Sequence, residues 1–414
     1  MAIVDALIPS AQHLTGPHAL NVLRAALAEV GGELVTARPC HVHYRPGREM
    51  AVRYETTVSW HGAPASTETL LAGTTRHGVP DGTLRVEGDD GTGTDLHVGV
   101  WRWPYDPDLP GLPTAVTRSL VGELVEGLIG PPTHVEVVAY RPTQRAVVVA
   151  RDDRGGTVYV KALRPRELGG LAHRHDRLAA SGVPVAEILC RDDDRGLLVF
   201  AALDGPTARE RYQDSTGAWP SPGDYLGLME RFDQADLTEL PVRRGRIDDA
   251  HGHAAMLARV APDLTPRLEK LTQALHDAGL PDRGAPAVHG DLYEAQLVTS
   301  PDGGISGVLD LDDAGPGDPR DDMATVLAHL WMRTRRGYQG SERLAVHLES
   351  LRRAFAGRVE AWELDVATAA VLVGLATGPF RAQERRWRRS TTAVLTRARR
   401  LITHAGERTL IPSP

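Results

Sequence analysis

The 414-residue chain reads as an α+β protein with its strands gathered ahead of its helices. Three observations predict this. Up to about residue 205, short alternating runs of apolar and polar residues are bounded by Gly, Pro and Asp, with two helical patterns among them. After Gly205 the apolar residues recur at three- and four-residue spacing almost to the end. Only residues 288–324 interrupt that helical half, with a small β insert dense in carboxylates.

Residues 16–30 carry Leu20, Leu23 and Leu27 on one face with alanines between them, and Gly31-Gly32 closes the helix. Alternating strands are expected at 40–44, 50–60, 67–73 and near 97–103, so a helix facing an antiparallel sheet is the economical picture of residues 1 to about 110. The Pro-rich stretch 104–111 is a stiff polar link. An internal echo follows. Tyr44-Arg45-Pro46-Gly47-Arg48 and Tyr140-Arg141-Pro142-Thr143-Gln144-Arg145 each stand before a strand. The second copy continues to residue 151, turns at 152–156 and returns as 157–163 with Lys161 inside an apolar run. A lysine there is a poor core residue unless its ammonium has a partner. The first copy has Ala65 at the matching place, which reads as a cap module over residues 1–115 without catalysis of its own. Two unrelated hairpins sharing turn residues would give the same echo.

A helix is expected at 166–181, then a buried strand ending at Gly205. Further helices are expected at 225–236, 248–260, 264–278, 323–335, 341–355, 365–377 and 391–404. The length allows two or three domains. A net charge of -7 and ordinary apolar content suggest neither disorder nor a nucleic-acid partner. Cys40 and Cys190 are too few and too far apart for a disulfide framework or a thiolate cage. The first residues lack a basic, apolar leader and no later run approaches a membrane span, so a cytoplasmic protein without membrane attachment is expected. His41 and His43 alternate on one strand face, with no further ligand evident for a zinc site.

The β insert holds the most specific pattern, His289-Gly290-Asp291-Leu292-x-x-x-Gln296 followed by Leu309-Asp310-Leu311 and Gly317-Asp318-Pro319. Paired at this spacing, the motifs resemble the signatures of aminoglycoside-phosphotransferase-like small-molecule kinases. Gln296 stands where the usual pattern has Asn and Tyr293 where it has His, and Gln at that place is similar to the maltokinase and actinobacterial glucosamine kinase branch. The resemblance covers about residues 136–400 and implies a bilobal protein-kinase-like fold. Its parts would be a cap subdomain (1–115), a β-rich nucleotide lobe (116–205) and a helical lobe (206–414) carrying catalysis and substrate binding.

The resemblance also implies ATP and magnesium. Asp291 would take the proton of the attacking hydroxyl, Gln296 and Asp310 would hold the metal, and Lys161 would meet the nucleotide phosphates. Backbone groups from Phe200 to Ala202 would bind the adenine edge. His289 and the capping residues Asp318 and Asp322 would fix the loop, and Asp312 would share a face with Asp310. The family's helix acid opposite the lysine falls near Gly170 or Leu171, so Glu167 and His175 are the candidates to replace it.

Residues 378–387 interrupt two helices with polar side chains and one large aromatic. Arg381, Glu384 and Trp387 fit a sugar site, Glu384 facing an ammonium and Trp387 a sugar face, though Trp387 reads equally as a packing aromatic. The arginines from 381 to 400 read as a solvated helix face. Together these imply a monomeric or weakly dimeric sugar kinase, with glucosamine at its primary hydroxyl as the expected acceptor. Maltose and an antibiotic aminoglycoside are the rival acceptors, and a catalytically silent kinase-like binding module is the rival of another class.

Overall fold

Two five-stranded antiparallel sheets with the same strand order build the amino-terminal half of the molecule. The computed structural model describes residues 3–89, 95–214, 217–335 and 341–409. The first sheet comprises β1 (Gly32–Arg45), β2 (Glu49–Trp60), β3 (Ser66–Thr75), β4 (Leu84–Asp89) and β5 (Asp95–Arg102), ordered β1-β2-β3-β5-β4. The second comprises β6 (His134–Arg141), β7 (Arg145–Arg151), β8 (Thr157–Leu163), β9 (Ile188–Asp192) and β10 (Leu197–Ala201), ordered β6-β7-β8-β10-β9.

The echo seen in the sequence is an echo in three dimensions. Tyr44 donates its hydroxyl to Asp5 (2.7 Å), and Gly47 donates its backbone N–H to the same oxygen (2.7 Å). Tyr140 and the Thr143 N–H do the same to Asp106, at 2.6 and 2.8 Å. Gly47 and Thr143 both turn the corner with positive φ, 68° and 60°. Glycine does this freely, whereas threonine gives up about 1–2 kcal/mol that the Asp106 hydrogen bonds help to offset. Register corrects one expectation. Arg45 pairs with Glu49 and Ala51 with Gly73, as Arg141 pairs with Arg145 and Val147 with Lys161. The counterpart of Lys161 is therefore Gly73, not Ala65, which lies in the loop between β2 and β3. Strand β4 was not anticipated, and β1 begins at Gly32 rather than at Cys40.

One face of the first sheet packs on α1 (His18–Glu29), through Leu23, Ala26 and Leu27 against Val42, Val52 and Val98. The second sheet has α2 (Leu112–Val116) and α3 (Arg118–Leu124) on one face, over Ala146, Val148, Val158 and Val160. Its other face takes α4 (Pro165–Ala180), whose Leu168, Leu171 and Leu178 meet Leu163, Leu198 and Phe200. That face is the one Lys161 shares.

The remaining helices are α5 (Ala208–Arg211), α6 (Pro222–Asp233), α7 (Arg246–Val260), α8 (Thr265–Asp277), α9 (Pro319–Thr334), α10 (Ser341–Phe355), α11 (Ala361–Leu375), α12 (Gly378–Arg381) and α13 (Trp387–Thr409). Two small two-stranded antiparallel sheets interrupt them. β11 (Ala287–Val288) pairs with β14 (Gly315–Pro316), and β12 (Leu297–Thr299) pairs with β13 (Ile305–Val308). Helix α11 is the axis of this lobe, buried from Glu363 to Val373 and packed on α7, α9 and α13. The stretch Ala361–Arg381 is long and apolar enough to cross a membrane, contrary to the sequence expectation, but 83% of it is buried in the protein, as in a core helix. Gly374 on α11 allows α7 to come close, since a Cβ there would lie 3.1 Å from the His253 ring. The core around α1 and the first sheet runs on without a break into α7, α8, α11 and α13. The cap is thereby fused to the helical lobe by apolar burial, at about 1.5–3 kcal/mol for each fully buried Leu or Val.

Candidate active site

The two small sheets bring the two sequence motifs together. His289, fully buried, links them: its Nε2 lies 2.9 Å from the Leu309 carbonyl, and its Nδ1 accepts from the Asp291 N–H at 3.2 Å. An Nδ1 that accepts leaves the proton on Nε2, so the ring is the neutral Nε2–H tautomer and donates to Leu309. Asp322, on the first turn of α9, accepts the N–H of His289 (2.7 Å) and of Gly290 (2.9 Å). Gly290 takes φ 81°, and Arg243 and Arg246 both donate to its carbonyl. Every turn of the segment leading to Asp291 is thus held by a hydrogen bond or an ion, and the Asp291 carboxylate emerges half-exposed, 3.3 Å from Arg246.

Asp310 sits at the end of β13 with φ 57°, a left-handed conformation that costs a non-glycine residue about 1–3 kcal/mol. The turn sends its carboxylate into the cleft under the second sheet. Lys161 Nζ lies 2.9 Å from Asp310 and 2.6 Å from Asp312. Arg145 spans the same two carboxylates at 2.7 and 2.6 Å. Burial alone would raise the Asp310 carboxyl, but Lys161 and then Arg145 outweigh it and hold the group well below the ordinary carboxylate range. Gln296, buried, places its side-chain amide 3.4 Å from Asp310, and the Leu309 N–H donates to the Gln296 carbonyl at 2.8 Å. Asp291 and Asp310 both act on Arg145 and on the Tyr293 phenol, so the two motifs share one electrostatic site.

The donors around Asp310 suit a hard divalent cation. Two are carboxylates, which now face cations that such an ion would replace, and the third is the Gln296 amide, whose nitrogen faces Asp310 and whose oxygen is the ligand it would offer. Asp310, Gln296 and Asp312 would hold it. Among the described residues no group of three or more His, Cys, Asp or Glu could hold a metal by itself, so nucleotide oxygens would complete the shell.

Other expected residues take different places. Lys161 finds its partners across the cleft rather than on the helix behind the sheet: Glu167 pairs with Arg164 at 3.2 Å on the surface. His175 is the α4 residue that approaches Lys161, and burial followed by that ammonium lowers it to about 4. It packs 4.9 Å from Phe200 as a neutral ring and carries no counter-charge. Phe200 pairs with Tyr159 and Ile188 on β10, and Ala202 follows the strand end on the path to Gly205. Glu384 is exposed and accepts from Ser390 at 3.2 Å. Trp387 packs edge-on to Phe380 at 5.2 Å, its packing reading. Arg381 turns toward β1 and lies close to Arg45 and Arg141. Arg145, Arg243 and Arg246 were not anticipated. Strand alternation would have found Arg145, two residues before the partner of Lys161, whereas the loop holding Arg243 has no periodicity to read.

Among solved structures the chain is similar to an aminoglycoside-3'-phosphotransferase of type VIII, at 20% identity over 60% of this chain and 97% of that one, with a TM-score of 0.41. It is similar to a type I macrolide 2'-phosphotransferase, at 19% identity over 67% and 96% with a TM-score of 0.45. A choline/ethanolamine kinase family protein from Mesorhizobium loti matches at 17% identity over 70% and 92%, with a TM-score of 0.47. No curated protein matches the chain. The phosphotransferase enzyme family (APH) matches residues 140–365, from the corner before β7 through both small sheets to the second turn of α11. With more than half of its length matched, the chain belongs to the phosphotransferase enzyme family.

Proposed function

We propose that this phosphotransferase moves the terminal phosphoryl group of ATP, with magnesium, to a hydroxyl of a small sugar-like molecule. The observation that carries the reading is the junction of Lys161, Asp310 and Asp312 at 2.6–2.9 Å, tied through His289 to the loop that presents Asp291. Bound magnesium would neutralise charge on the phosphates and on the leaving diphosphate.

The chain's own groups do the rest. With Asp310 and Asp312 holding the cation, Lys161 and Arg145 would be the groups that meet phosphate oxygens. Asp291 orients the acceptor hydroxyl and takes its proton late, as the new O–P bond forms and the bond to the leaving oxygen breaks. Arg246, 3.3 Å from Asp291, fixes the direction in which that carboxylate points. The backbone from Phe200 to Ala202, at the end of β10, would read the adenine edge.

Glucosamine, the acceptor implied by the resemblance at Gln296, heads the panel to be tried, with maltose and an aminoglycoside beside it. Asp291→Asn tests the reaction class. Turnover of whichever acceptor is used should fall at least about a hundredfold with ATP affinity retained. A variant that kept most of the wild-type rate would remove Asp291 from the chemistry and the proposal with it.

A further inference from the structure

The cations on the cleft wall continue past Lys161 and Arg145. Arg145 pairs with Leu163, two residues along from Lys161, and Arg141 pairs with Arg145 on the next strand. Residues opposite one another on paired strands, or two apart on one strand, project to the same side. Lys161, Arg145 and Arg141 therefore share the cleft face, while Tyr140, Ala146 and Ala162 fill the core beneath the opposite face. Arg381 follows, at the end of α12 where that helix packs on β1.

These four cations differ in what answers them. Lys161 and Arg145 meet two carboxylates each. Arg141 and Arg381 have no ion pair among the described residues, and Arg381 Nε is buried without a hydrogen-bond partner. Burial, then Arg141 and Arg45, lower the Arg381 guanidinium to about 10. Glu49, the acid on this side, is already held by His43 at 3.1 Å and Arg45 at 3.2 Å. His253 feels both Arg381 and Arg246, so the patch adjoins the side of the cleft where Asp291 stands. A guanidinium withdrawn from water among other cations is held at a cost that a bound anion would relieve.

We propose that Arg141 and Arg381 form an anion subsite on the acceptor side of the cleft, and that the molecule phosphorylated here carries a phosphate or carboxylate besides its reacting hydroxyl. The proposal rests on the phosphotransfer reading and narrows its acceptor. Two planar guanidinium forks from different lobes would grip the anion between them and so place the distant hydroxyl against Asp291. It ranks glucosamine, whose ammonium would face Arg381, below an anionic sugar.

The test uses the full chain with magnesium and ATP and compares glucose 6-phosphate and gluconate with glucose and glucosamine. Calorimetric binding of the same four compounds is measured in the presence of a non-hydrolysable ATP analogue. At least one anionic compound should bind, and have a KM, about 10-fold or more below its neutral counterpart. Arg141→Gln and Arg381→Gln should each raise that KM about 10-fold while lowering kcat far less, and Arg381→Lys should recover part of the loss. Preference for glucose-6-phosphate would identify a phosphate reader, and preference for gluconate a carboxylate reader. Neutral or amino sugars binding as well as both anions would overturn the subsite, as would Arg381→Gln weakening charged and uncharged acceptors alike. Because binding is read without turnover, loss of the anion preference is separable from failure of the phosphotransfer reading, which Asp291→Asn probes.

Discussion

The buried carboxyl of Asp321 makes a stability prediction that can be worked from the structure. Asp321 lies on the first turn of α9, 6% exposed, between Asp318 and Asp322, and it accepts the Arg246 N–H at 3.2 Å. Burial first, then the charges of Asp318 and Asp322, raise it from 3.8 to about 7. Arg246 opposes the rise without cancelling it. The folded protein therefore holds this proton about a thousandfold more tightly than an unfolded chain would, equivalent to roughly 4 kcal/mol. The sign follows from proton counting. Below 3.8 both states are protonated and the carboxyl is neutral in each. Between 3.8 and about 7 the folded state binds more protons than the unfolded one, so stability falls as pH rises through this window. Above it, the ionised carboxylate is carried at full cost.

Asp321→Asn keeps the shape and the acceptor oxygen for Arg246 but cannot ionise. At pH 5, early in this window, the variant should already be the more stable by roughly 1.5 kcal/mol. At pH 8.5 it should be more stable, by an amount approaching about 4 kcal/mol. Denaturant unfolding of both proteins at the two pH values, followed by Trp fluorescence, reads the difference directly. A difference between variant and wild type that is the same at pH 5 and pH 8.5 would refute the reasoning, because it would mean that the folded protein does not hold the Asp321 proton.

Two further substitutions address how the site is built. Asp322→Ala leaves the buried N–H groups of His289 and Gly290 without an acceptor. At about 1–3 kcal/mol for each, the unfolding free energy should fall by several kcal/mol, with Asp322→Asn recovering part of it. Lys161→Met leaves Arg145 alone against two carboxylates, so kcat/KM for ATP should fall by about 10²–10³ while the circular dichroism spectrum stays as in wild type.

Much of the candidate site's grouping was legible because its residues lie at close sequence spacing. Asp291 and Gln296 are five residues apart and Asp310 ends the next strand, so local pattern alone assembles them. What was not legible depended on contacts far apart in the chain. Lys161 meets Asp310 and Asp312, 149 and 151 residues later, and nothing near Lys161 announces that pairing. The helix behind the sheet, where a counter-charge was sought, offers the neutral ring of His175. Helix boundaries shifted for a simpler reason. Asp318-Pro319 caps α9 four residues before its apolar pattern starts, the first turn being set by the Asp318 side chain on the Arg320 N–H at 2.9 Å. The surroundings of Arg381 were the least legible, since its character comes from Arg141 and Arg45 on other elements.

The doubled sheet explains why one copy holds the cluster of Lys161 and Arg145 and the other does not. Both sheets share strand order, the Asp–Tyr corner and the register, so the backbone that positions Lys161 and Arg145 exists twice. In the first sheet those two positions are Gly73 and Glu49. A Cβ on Gly73 would lie 3.1 Å from the Trp101 ring, which fills the space a lysine stem would need. Trp101, with Ala51 and Leu71, packs instead against Trp103 and Tyr140 at the corner of the second sheet. The face that is a cleft in one copy is a docking surface in the other, and His43, 2.8 Å from Gln144, carries the contact onto the loop beside Arg145. The first sheet therefore holds that loop, and a larger residue at Gly73 should shift Arg145 from a strand that does not itself contact it.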